Sequence, residues 1–147
     1  MPYNGDMDWI LAPALRRLPA SALPDRARAN TAARALLAGS DRPDAEVSVL
    51  LTDDPGIHAL NKRWRGYDRP TDVLSWPLEE GDVLGDVAIS LDTARRQAET
   101  RGWTVEEEIA LLLVHGVLHL LGHEDETEAG AEGMRVIERQ LIGKPLD

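Results

Sequence analysis

Three of the four histidines fall within nine residues, in the stretch His115-Gly-Val-Leu-His119-Leu-Leu-Gly122-His123-Glu-Asp125. Side chains four apart on a helix lie on one face, so His115 and His119 project together. Gly122 stands where such a helix would stop, because glycine takes the left-handed conformation of helix ends without steric cost. A residue just past that turn, His123 or Asp125, can swing under the two imidazoles and supply a third donor. Three protein donors with a fourth position left to water is the pattern of a catalytic rather than a structural zinc.

The elements that must position this group can be read on either side of it. Thr104-Val-Glu-Glu107 is a capping box that opens the longest helix, whose core stripe is Ile109, Leu112, Leu113, Gly116 and Leu120. Further helices are expected at 24–38, with Pro24 in the first turn and small residues suited to packing on a sheet, and at 54–65, with Asp54 as N-cap and Ile57, Leu60, Asn61 and Trp64 on one face. Two more are expected at 92–101, capped by Asp92, and at about 128–142, carrying Met134, Ile137 and Leu141. Strands are expected at 8–12, 46–52, 72–77 and 83–90, the third ending at Pro77 and joined to the fourth by a hairpin-like link at a sheet edge. The sum is an α+β fold of about four strands in a small mixed sheet with about five helices, in a single domain spanning 1–147.

Composition narrows the chemistry. There is no cysteine, so any metal must use histidine and carboxylate. No apolar run reaches the length of a membrane span and the N-terminus lacks a basic-then-apolar leader, so a soluble cytoplasmic protein with no membrane partner is expected. The net charge of -10 argues against broad nucleic-acid binding, and none to DNA is expected. The positive charge is nevertheless concentrated: Lys62, Arg63, Arg65 and Arg69 lie within eight residues, at the end of a helix whose dipole favours cations. His58 is read as a surface residue.

These motifs together resemble the YbeY endoribonucleases, whose signature runs His-Gly-x-Leu-His-Leu-x-Gly-(Tyr or His)-Asp-His. The chain follows it through His123, then has Glu124 and Asp125 where that family has Asp and His. Leu60-Asn-Lys-Arg-Trp-Arg65-Gly-Tyr-Asp-Arg-Pro-Thr-Asp72-Val-Leu-Ser-Trp-Pro77 resembles the family's second signature, with its arginine at Arg65. Leu84-Gly-Asp86-Val-Ala-Ile89-Ser90 resembles the third. The resemblance implies His115, His119 and Asp125 as ligands of one zinc ion, and an oxygen ligand in the third place moves the site toward harder divalent ions such as manganese. It also implies a metal-dependent, single-strand-specific endoribonuclease of ribosomal RNA processing, at the 3′ end of the small-subunit RNA and in ribosome quality control.

The residues fit that chemistry. Zinc peptidases of the His-Glu-x-x-His type place a glutamate directly after the first histidine; here that position is Gly116. RNA cleavage instead asks the protein to hold a phosphate and neutralise developing charge, and a guanidinium fits paired phosphate oxygens better than an ammonium does. Arg65 is the catalytic candidate. His123, where it is not a ligand, could shuttle a proton to the leaving oxygen. The acidic surface points to a ribosome or ribosomal protein partner that brings single-stranded or ribosomal RNA to the site. The rival readings are a zinc metallopeptidase-like hydrolase and a non-catalytic ribosome-associated factor with a structural metal.

Overall fold

The computed structural model describes residues 7–146. Strand β1 (Asp8–Leu11) is followed by a short helix α1 (Pro13–Arg16) and a single 3-10 turn (Ala20–Ala22). Then come α2 (Ala27–Ala38), β2 (Glu46–Thr52), α3 (Asp54–Arg65), β3 (Val73–Glu80), β4 (Val83–Ser90), α4 (Leu91–Arg101), α5 (Val105–Leu120) and α6 (Glu128–Ile142). The four strands form one mixed sheet in the order β1-β2-β4-β3, with β1, β2 and β4 parallel and β3 antiparallel to β4. The five expected helices are α2 to α6; α1 and the 3-10 turn are additional.

Helix α5 is the centre of the molecule. Both halves of its capping box are formed, with Thr104 accepting from the Glu107 N–H and Glu107 reaching back to the Thr104 N–H, and Glu106, Glu107 and Glu108 lie at the positive end of its dipole. Beyond them it is buried on every side, from Ile109 to Val114 and again from Gly116 to Leu118, as expected of a helix apolar all round. One flank packs on β3 and β4, and α2, α4 and α6 cover the rest. The alanines of α2 therefore serve a different partner from the expected sheet: Ala29, Ala32 and Ala33 are buried where α2 meets α5.

Among the described residues, α3 covers the opposite face of the sheet, over a small second core of Ile57, Leu74 and Ala88 with Leu50, Leu60 and Trp76. Trp64, expected on the buried stripe of α3, is 58% exposed instead, because it lies in the last turn, beyond these contacts. Two caps also sit one or two residues earlier than expected. Asp53, not Asp54, caps α3 by accepting from the Gly56 N–H, and Ser90, not Asp92, caps α4 by accepting from the Thr93 N–H. The displaced carboxylates lash the two helices together: Asp54 accepts from Ser90, Thr93 and Arg96, and Asp92 accepts from the Asp54 N–H. Pro24 precedes α2, whose first turn is tied by Asp25 accepting from the Ala27 N–H. Strand β3 runs past Pro77 to Glu80, which an edge strand permits because it has no outer neighbour to receive the missing donor.

Candidate metal centre

Position 116 explains how closely α5 lies on the sheet. A Cβ built there would stand 2.8 Å from Val87 Cγ1 and 3.1 Å from Val87 Cγ2, so only glycine lets the helix come this near. Gly116 lies against β4 and also borders the cleft lined by His115 and His119. A glutamate in the peptidase position would be driven into β4.

His115 and His119 emerge one turn apart on the solvent-facing edge of α5. Each ring is held by its Nδ1. That of His115 is 2.8 Å from Glu138 Oε2 on α6, and that of His119 is 3.1 Å from the His123 carbonyl. A carbonyl can only accept, so His119 donates from Nδ1; the carboxylate of Glu138 asks the same of His115. In the neutral rings both Nε2 atoms then carry lone pairs, and these lone pairs converge, 3.2 Å apart. Asp125 completes the triangle, its Oδ2 lying 3.6 Å from His115 Nε2 and 3.5 Å from His119 Nε2. Three electron-rich atoms at such spacing could hold a metal ion between them. Four donors arranged tetrahedrally about 2.0–2.1 Å from an ion stand about 3.3–3.4 Å from one another, so the donor set fits a divalent metal in size and in chemistry.

The turn that delivers Asp125 is fixed by its own hydrogen bonds. Gly122 takes a φ of 99°, and the His123 N–H closes back on the Leu118 carbonyl at 3.0 Å. Glu124 then accepts from the N–H groups of Glu126 and Thr127 and from the Thr127 hydroxyl. Of the two third donors open to sequence reasoning, the structure brings Asp125 to the pair. His123 lines a separate cavity with Leu36, Ile137 and Leu141 and is not among the residues lining the cleft. The residue reaches the histidines only through its carbonyl.

Burial works against charging His115, but the hydrogen bond and charge of Glu138, with the charges of Asp125 and Asp72, outweigh it and raise the ring's pKa above 6.5. Glu138 itself was not anticipated. The signal was present: Met134, Glu138 and Ile142 recur at every fourth position on the buried side of α6, and a carboxylate on an apolar stripe needs a partner inside.

The three donors line a cleft of about 490 Å³ whose walls also include Arg65, Tyr67 and Arg69. The 65–69 segment is pinned in place. Gly66 ends α3 in the left-handed conformation, the buried Asn61 amide donates to the Arg69 carbonyl at 2.9 Å, and His58 pairs with Asp68 at 2.7 Å. A cleft lined by both a His/Asp donor set and guanidinium groups suits an anionic substrate brought against a metal.

Comparison with known proteins agrees with this architecture. The family model described as Endoribonuclease YbeY matches residues 23–145. A Rhodopseudomonas palustris (strain BisB18) protein named Endoribonuclease YbeY is 43% identical over 121 residues, covering 76% of this chain and 72% of that one. An Anaeromyxobacter sp. (strain Fw109-5) protein of the same name is 50% identical over 118 residues, 78% of this chain and 62% of its own length. The solution structure of a Thermotoga maritima protein superposes with a TM-score of 0.52 at 32% identity, covering 76% of this chain and 75% of that one.

Proposed function

The chain belongs to the YbeY endoribonuclease family, and from that premise we propose that it is a metal-dependent endoribonuclease that cuts single-stranded RNA in ribosomal RNA processing. The observation that carries this reading is the convergence of His115 Nε2, His119 Nε2 and Asp125 Oδ2 in a cleft that Arg65 and Arg69 also line. These three residues would hold one divalent ion. Zinc suits the two imidazoles, and the carboxylate extends the choice to harder ions such as manganese. When bound, the ion supplies Lewis acidity and acidifies water.

The chain's own residues do the rest. Glu138 and the His123 carbonyl fix which nitrogen each histidine presents. Arg65 holds the scissile phosphate and offsets the charge that develops on its oxygens. The peptidase alternative lacks its glutamate and, at Gly116, any room for one. Natural substrates are single-stranded segments of ribosomal RNA, the 3′ end of the small-subunit RNA foremost, and the same activity serves ribosome quality control. A net charge of -10 leaves the bulk of the surface repellent to phosphate, so a ribosome-bound protein presents the substrate in the cytoplasm. No helix among the described residues is long and apolar enough to cross a membrane.

The test is to incubate metal-loaded protein with an unstructured RNA and with the same strand annealed to its complement. Cleavage of the first only, abolished by chelation and restored by added divalent metal, is the expected result. Equal cutting of both, or activity indifferent to chelation, would sink the reading.

A further inference from the structure

Next to the metal cleft, on the α3 side of the sheet, runs a second groove of about 590 Å³. Its lining includes Ile10, Leu50, Leu60, Trp64, Trp76 and Leu78. It meets the cleft at the β3 edge, where Pro77 borders both. Among the large apolar side chains that reach solvent, Ile10, Trp64 and Leu78 lie in this groove and Tyr67 lies on the cleft wall beside it. The chain has only four tryptophans and no phenylalanine, and two of those four indoles lie in this one open groove.

The basic residues cluster at the same place. Lys62, Arg63 and Arg65 form the last turn of α3 around Trp64, and Arg69 follows. Two of these guanidinium groups already lie over exposed rings, Arg63 over Trp64 and Arg69 over Tyr67, each 5.0 Å from the ring centroid. Alternating guanidinium and aromatic faces along a basic edge is how single strands are held without base pairing: phosphates follow the cations and bases stack on the rings. Ser48 and Asp86 also line the groove. A carboxylate there repels phosphate and accepts from base amino groups, which puts the sugar-phosphate chain on the α3 side and the bases inward.

Resting on the endoribonuclease reading, we propose that this groove is a nucleobase subsite. A single-stranded RNA held in the metal cleft continues over Pro77 and stacks a base on Trp64, with Arg63 and Arg65 on its phosphates. The charge suits this occupant: Lys62, Arg63, Arg65 and Arg69, four cations within eight residues of an acidic chain, flank the apolar groove at Trp64.

Binding can be separated from catalysis by using metal-stripped, full-length protein and a fluorescent, unstructured oligoribonucleotide of roughly ten nucleotides. Trp64→Ala should weaken binding about ten-fold, Trp64→Tyr should restore most of it, and the loss should persist as salt is raised, because stacking releases no counterions. With an abasic strand the wild type and Trp64→Ala should converge. In the metal-loaded enzyme the loss should appear in KM, and the preference for long RNA over a dinucleotide should collapse. Equal affinity of wild type and Trp64→Ala for the intact strand overturns the proposal, and is the result expected if the groove takes an apolar protein segment instead. Cleavage by wild type with no effect of Trp64→Ala sinks the subsite alone; Trp64-dependent binding without any cleavage keeps the subsite and sinks the nuclease reading.

Discussion

Glu138 Oε2 lies 2.8 Å from His115 Nδ1, across twenty-three residues of sequence, and this contact ties the position of α6 to the direction in which a helix α5 imidazole points. The buried carboxylate fixes the tautomer, so the Nε2 lone pair is turned toward His119 and Asp125. A helix at the C-terminal end of the chain thereby takes part in a site built on a different helix.

Replacing that carboxylate should cost metal and not fold. Glu138→Gln keeps the volume and a hydrogen-bonding oxygen but loses the charge that strengthens His115 as a donor. Metal affinity should drop by about 10- to 100-fold, read by competition with a chromophoric chelator, while the circular dichroism spectrum stays that of the wild type. An unchanged affinity would mean that Glu138 serves packing only.

The raised pKa of His115 gives a pH signature of definite sign. In the metal-free protein the imidazolium gains Glu138, Asp125 and Asp72 as neighbours on folding. Its contribution to stability is therefore full below the unfolded value of about 6.5 and is lost as pH rises through the higher folded value. Metal binding runs the other way, because protons compete for the same ring. Melting curves with and without divalent metal should diverge as pH rises from about 6 to 8, and a metal-induced shift in Tm independent of pH across that interval would contradict it.

How much of this was legible beforehand depends on whether the cause is local. Thr104 and Glu107 close a capping box three residues apart, and His115 and His119 share a face by helical spacing alone, so both could be read from the chain. Resemblance to the family chose Asp125 over His123 and singled out Arg65 in the basic cluster. What could not be read is settled by long-range choice. Asp53 and Asp54 are equivalent caps until Ser90, Thr93 and Arg96 claim the second. Trp64 continues the stripe of Ile57 and Leu60, yet the sheet core ends before it. His123 could have been ligand or proton carrier by type, but the turn at Gly122 spends its carbonyl on His119 and sets the residue against a separate cavity.

Gly116 should be intolerant of any side chain. Gly116→Ala sets a methyl group 2.8 Å from a Val87 methyl, an overpacking that costs about 1–3 kcal/mol and lowers Tm by several degrees. Combining it with Val87→Ala makes room, so the double variant should be less destabilised than the two single changes added together. Strict additivity in thermal or denaturant unfolding would show that the helix and strand do not meet there.

The role given to Arg65 rests on shape as well as charge, and the two can be parted. It stands at the end of α3 and lines the same cleft as the three candidate donors without being one of them, so its loss should leave the ion in place. Arg65→Ala should lower kcat for RNA cleavage by about 100-fold with bound metal unchanged. Arg65→Lys retains the charge but not the planar pair of donors that matches two phosphate oxygens, and should recover only part of the rate. Full recovery with lysine would reduce the residue to a local positive potential. A wild-type rate in Arg65→Ala would remove it from the chemistry and pass the phosphate to Arg69, the other arginine lining the cleft.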